Sequence, residues 1–128
     1  MDSQRVSDEL EIAALLSAYA RAVDTKDWQL YRSVFTDDAH IDYSSDVFTG
    51  SLDGAIEFFD GDFSALVTMS MHYITNIESE IDGDTAQVRA MFYNPTQDRQ
   101  LAARRSGLSG QLPAGSGDFA APRVTHRA

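Results

Sequence analysis

The chain has 128 residues, 43% of them hydrophobic and 10% aromatic, which suits one soluble domain with a single core. Twenty acidic residues against ten basic give a formal net charge of −10, which disfavours nucleic acid and anionic membranes as partners. Without cysteine there is no disulfide, thiol nucleophile or thiolate metal site, and no apolar run approaches the ~18–20 residues of a membrane span.

Met1 to Val6 lacks the basic-then-apolar order of a signal peptide, so a cytoplasmic protein is expected. The first helix is the clearest element. Ser7 or Asp8 can cap it, Asp8, Glu9 and Glu11 suit its first turn, and Ile12, Leu15, Leu16, Tyr19 and Val23 recur on one face up to Asp24. A shorter helix follows from Asp27 as cap through Trp28, Leu30, Tyr31, Val34 and Phe35, and Thr36-Asp37-Asp38 breaks it. Ala39 to Ser44 alternates as a strand, with Ala39, Ile41 and Tyr43 on one face and His40 and Asp42 on the other.

After a loop ending at Gly50, a third helix is expected from Ser51 or Asp53, carrying Ile56, Phe59, Phe63 and Leu66, with a break at Gly61. Met71 to Ile81 reads as a long strand, Asp82-Gly83-Asp84 as a hairpin turn, and Thr85 to Tyr93 as the return strand. On that strand Ala86, Val88, Ala90 and Phe92 share a face, and Asn94-Pro95 closes it.

The remainder differs in kind. Residues 1–97 hold 18 acidic and 5 basic side chains, whereas 98–128 hold 2 acidic and 5 basic. Gly107, Gly110, Pro113, Gly115 and Gly117 punctuate this stretch, and its few large apolar residues do not alternate. Two readings stay open: a flexible C-terminal tail, or a sequence that replaces the final strands, as translation of a GC-rich gene in a shifted frame would give. Either way the domain spans 1–97, and its final strands are expected to be missing or altered.

Three residues carry the candidate chemistry. Asp24 ends the first helix, where the dipole disfavours a carboxylate unless a donor faces it. His72 alternates with Ile74 and Asn76 on one strand face, and an imidazole held through Nδ1 by a carboxylate keeps Nε2 ready to take a proton. Tyr43 shares a face with Ile41, so its hydroxyl is placed to donate to a substrate carbonyl. Each also has a bland reading: a solvated acid, a hydrogen-bonded structural histidine, a buried tyrosine with its hydroxyl satisfied. The three histidines have no metal-ligand spacing, and no phosphate-binding glycine loop is present.

The runs Val23-Asp24-Thr25-Lys26-Asp27-Trp28, His40-Ile41-Asp42-Tyr43 and Met71-His72-Tyr73-Ile74-Thr75-Asn76 resemble the SnoaL-like group of the NTF2-like superfamily, near its scytalone dehydratases, lindane dehydrochlorinases and bile-acid dehydratases. The resemblance covers about residues 8–96. It implies an α+β cone of three N-terminal helices packed on a curved antiparallel sheet. It also implies an aspartate–histidine pair at Asp24 and His72, a carbonyl-polarising tyrosine at Tyr43, and substrate contacts at Tyr19 and Asn76. The dehydratases' second histidine has no counterpart. The implied activity is that of a small-molecule lyase or isomerase acting beside the carbonyl of a cyclic, apolar substrate, with no metal or organic cofactor and self-association through the sheet. A non-catalytic binding module and an inactive truncated relative are the alternatives.

Overall fold

The computed structural model describes residues 2–43 and 45–98, with the backbone alone described for Thr96–Asp98. Helix α1 (Ser3–Thr25) begins earlier than Ser7 because Asp2 is the cap, its carboxylate accepting Arg5 N–H at 2.8 Å. It ends where Lys26 turns left-handed (φ 56°) and returns its N–H to the carbonyls of Ala22 and Val23. Helix α2 (Trp28–Ser33) starts as expected on Asp27, which accepts from Leu30 N–H at 3.0 Å.

Strand β1 (His40–Asp42) pairs with β2 (Thr49–Ser51), a strand inside the stretch expected to be loop. Ala39 and Ile41 are buried and His40 and Asp42 exposed, matching the alternation. Ser51 caps α3 (Leu52–Phe58). The helix does not break at Gly61. It widens into a π-helical turn (Phe59–Phe63), followed by one short turn, α4 (Ser64–Leu66). Only Phe59 of that turn is buried.

Strands β3 (Val67–Ser70), β4 (Tyr73–Asp82), β5 (Thr85–Tyr93) and β6 (Thr96–Asp98) complete the described chain. Among the described residues the strands form three antiparallel pairs, β1–β2, β3–β6 and β4–β5. The last two are one ribbon interrupted. Ser70 faces Thr96 and Tyr73 faces Tyr93, a register that places Met71 opposite Pro95 and His72 opposite Asn94. Met71 N–H still donates to the Pro95 carbonyl at 3.1 Å, but proline has no N–H to return, so the ladder lapses there. The ribbon turns at Gly83, whose φ of 57° a side chain disfavours.

Two expectations about this ribbon need correction. His72 lies not within a strand but in the two-residue gap between β3 and β4. The alternation also fails at Asn76: the register shifts between Thr75 and Glu78, Asn76 takes φ 53°, and its side chain is exposed instead of sharing an inner face with His72. The ladder reaches Asp98, one residue into the stretch expected to lack pairing; the rest of that expectation falls on 99–128, outside the described residues.

The core joins Tyr19, Ala22 and Val23 of α1 to Tyr31, Ile41, Leu52, Ala55 and Phe59, with Ile74 and Phe92 packed against it from the ribbon. Full burial of each large apolar side chain contributes about 1.5–3 kcal/mol. The opposite face of the ribbon exposes Tyr73, Met91 and Tyr93. No described helix is long and apolar enough to cross a membrane.

Candidate active site

The end of α1 meets the gap in the ribbon. Asp24 accepts three hydrogen bonds there: Ser70 Oγ to Oδ1 at 3.0 Å, His72 N–H to Oδ2 at 2.8 Å, and His72 Nδ1 against Oδ1 at 2.5 Å. These donors offset the unfavourable placing of a carboxylate at a helix C-terminus. His72 can supply its backbone N–H because, opposite Asn94, that group points away from the partner strand. A carboxylate only accepts, so Nδ1 is the donor of this contact, which in a neutral ring leaves the lone pair on Nε2. The His72 side chain retains 9% of its accessible surface and Asp24 24%, so the pair is largely shielded from water.

Beside this pair stand three tyrosine hydroxyls. Tyr43 Oη lies 2.6 Å from Tyr19 Oη and 2.9 Å from Tyr31 Oη. The Tyr19 ring meets the His72 ring edge-on, with centroids 6.3 Å apart. Phe59 packs edge-on against Tyr43 at 5.3 Å, and Phe35 closes on Tyr31 at 4.8 Å. Burial pushes all three hydroxyls well above the usual tyrosine range; the neighbouring tyrosine charge adds to each, and Asp24 adds a further upward push on Tyr19. All three are therefore neutral and can donate.

Of the five residues singled out in the sequence, the structure brings Asp24, His72, Tyr43 and Tyr19 together and leaves Asn76 exposed at the bulge. Three neighbours join them that sequence reasoning does not single out. Tyr31 gives no signal beyond its place in a helix stripe. Ser70 sits two residues before His72, a spacing that has meaning only once β3 is recognised. Asn94, a strand terminator by sequence, stands opposite His72, and its Oδ1 is buried with no hydrogen-bond partner among the described residues. Leaving such an atom unpaired costs about 1–3 kcal/mol. No group of three or more metal-binding side chains is present among the described residues.

These features define an α+β protein of the NTF2-like kind. Residues 4–112 match the model of the SnoaL-like domain, and the chain belongs to that family. The match continues beyond Gln97. An uncharacterized protein of Mycobacterium tuberculosis is 34% identical over 93 residues, 70% of this chain and 61% of that relative. The chain therefore spans about 61% of the length of the curated relatives it matches.

Among solved structures, a Novosphingobium aromaticivorans protein provisionally named an aromatic ring hydroxylase is 36% identical, with TM-score 0.67, covering 74% of this chain and 68% of its own. A protein of the same organism, provisionally named scytalone dehydratase, shares the fold at 16% identity and TM-score 0.69, covering 77% and 66%. The hexachlorocyclohexane dehydrochlorinase of Novosphingobium barchaimii also shares it, at 20% identity and TM-score 0.69, covering 78% and 69%.

Proposed function

We propose that the protein is a small-molecule dehydratase or isomerase in which His72 is the general base. The observation that carries this reading is the 2.5 Å contact between His72 Nδ1 and Asp24 Oδ1, in a carboxylate already fixed by two other donors. The proposed substrate is a small cyclic, apolar carbonyl compound, in keeping with the aromatic side chains around the hydroxyls.

In this mechanism Nε2 removes a proton from the carbon next to the carbonyl, and the electron pair moves into an enolate. Asp24 orients the imidazole and stabilises the imidazolium. Tyr43 has two lone pairs, enough to accept from Tyr19 and Tyr31 together, which lets it give its own proton to the developing oxyanion. In a dehydration the enolate expels the β-hydroxyl group, and the proton on Nε2 leaves with it as water. In an isomerisation that proton returns to another carbon. Neither route uses a cofactor. Asn94 Oδ1 supplies an acceptor for the ligand's β-hydroxyl group, answering its unpaired oxygen. The scytalone dehydratase and dehydrochlorinase names belong to those proteins, but eliminations of this type are consistent with the residues here.

The proposal extends to self-association of two copies through the exposed Tyr73, Met91 and Tyr93, which Met91→Lys should reduce in light scattering. The functional test is a panel of cyclic β-hydroxy ketones followed by the ultraviolet absorbance of the enone product. The reading expects turnover that His72→Gln lowers about 10²–10⁴-fold. Ligand binding without any turnover in the native chain would favour the binding module instead.

A further inference from the structure

We propose that Ser70 is a positioning residue that fixes the tautomer of His72 by locking the plane of the Asp24 carboxylate. The inference rests on the dyad reading and adds to it a third member, on a different element from either partner.

A carboxylate turns easily about its last side-chain torsion, which is broad and roughly two-fold. Contact with an imidazole alone would leave that rotation soft. Here each oxygen has its own anchor. Oδ2 takes His72 N–H at 2.8 Å, and Oδ1 takes Ser70 Oγ at 3.0 Å. With both ends held, the remaining direction on Oδ1 is the one that meets Nδ1 at 2.5 Å. Ser70 is well placed to act as that anchor. It is 7% exposed, it is the last residue of β3, and the interruption that frees His72 N–H begins just after it. A single corner, Ser70-Met71-His72, thus supplies all three donors to one carboxylate.

The hydroxyl also has an electronic effect. Its proton draws charge from the same oxygen that Nδ1 approaches, which favours leaving the proton on the imidazole. Without Ser70 the carboxylate is held by His72 alone, Oδ1 loses its only anchor outside the ring it orients, and the alternative tautomer with Nε2 protonated becomes more accessible. That form has no lone pair at the position where the base is needed.

The test reads the tautomer directly from imidazole ¹⁵N chemical shifts in the full chain at a pH where the ring is neutral. The native protein should show protonated Nδ1 and unprotonated Nε2. Ser70→Ala should raise the Nε2-protonated population on the order of tenfold, the loss of one hydrogen bond to a charged acceptor. Ser70→Thr, which keeps the hydroxyl, should restore the native pattern. If Ser70→Ala does not fold, Ser70→Cys carries the comparison, since a thiol of similar size is a weak donor. Asp24→Asn separates the two levels. A Ser70→Ala spectrum equal to native, with Asp24→Asn shifted, overturns the role of Ser70 and leaves the dyad standing. Equal spectra in the native protein and Asp24→Asn overturn both.

Discussion

Asp24 holds His72 at two points, accepting the backbone N–H through Oδ2 at 2.8 Å and facing Nδ1 through Oδ1 at 2.5 Å. The double attachment ties the orientation of the ring to the position of the backbone that carries it. Helix α1 and the ribbon are therefore joined at the site by one carboxylate.

Removing that carboxylate should weaken the fold as well as the chemistry. Asp24→Ala leaves Ser70 Oγ, His72 N–H and Nδ1 without their acceptor in a largely shielded place, which costs about 1–3 kcal/mol for the unsatisfied groups. Relief of the helix-dipole clash returns less than about 1 kcal/mol. Urea denaturation should show a lower midpoint with an unchanged slope. A midpoint equal to the native value would mean that these hydrogen bonds contribute nothing net.

The tyrosine cluster predicts an alkaline limit. Tyr19, Tyr31 and Tyr43 have hydroxyls raised above the ordinary value of 10.0, mainly by burial. The folded state therefore keeps these protons when the unfolded state begins to lose them. Their stabilising contribution is complete below pH 10 and is lost as pH rises above it. Tyrosinate absorbance from these three side chains should appear together with loss of far-ultraviolet circular dichroism. Their ionisation in a chain that stays folded would contradict the burial described here.

Within the cluster, Tyr43 matters more than Tyr31. Tyr43→Phe strips the shared partner from two buried hydroxyls, whereas Tyr31→Phe removes one of two bonds to Tyr43. The first should cost about 1–3 kcal/mol and the second about 1 kcal/mol. On a substrate that turns over, Tyr43→Phe should lower kcat further than Tyr31→Phe does. Thermal denaturation and steady-state kinetics on the two variants give the order.

Asn94 predicts a trade between stability and function. Its buried Oδ1 has no partner among the described residues, so Asn94→Leu should hold or raise stability by about 1 kcal/mol. The same substitution should weaken binding of a ligand that carries a hydroxyl donor, read by calorimetry. A large loss of stability instead would show that the amide is structural.

How much of the fold and the site is legible in the sequence follows from the kind of signal each residue gives. The β5 face of Ala86, Val88, Ala90 and Phe92 is plain because the strand is regular and one side meets the core. Asp27 as a cap and Gly83 as a turn are local chemistry, readable without the fold. Asp24 stands out because a carboxylate is misplaced at a helix end. Strands β2 and β3 escape because Thr49-Gly50-Ser51 is too short to show a period, and Val67–Ser70 follows an apolar helical run without a break. The face of Asn76 is misjudged because a bulge changes the count by one, which no alternation reveals. Ser70, Tyr31 and Asn94 acquire meaning only from partners far away in the chain, and pairing of that kind is set by the three-dimensional path.

His72 Nε2 is proposed to remove a proton next to a carbonyl. The most direct measurement is deuterium uptake from D₂O into cyclic ketones, followed by proton NMR with the native chain, His72→Gln and Asp24→Asn. Exchange is expected at the carbon beside the carbonyl with the native chain, lowered about 10²–10⁴-fold in His72→Gln and also reduced in Asp24→Asn. Exchange at the native rate in His72→Gln would contradict it.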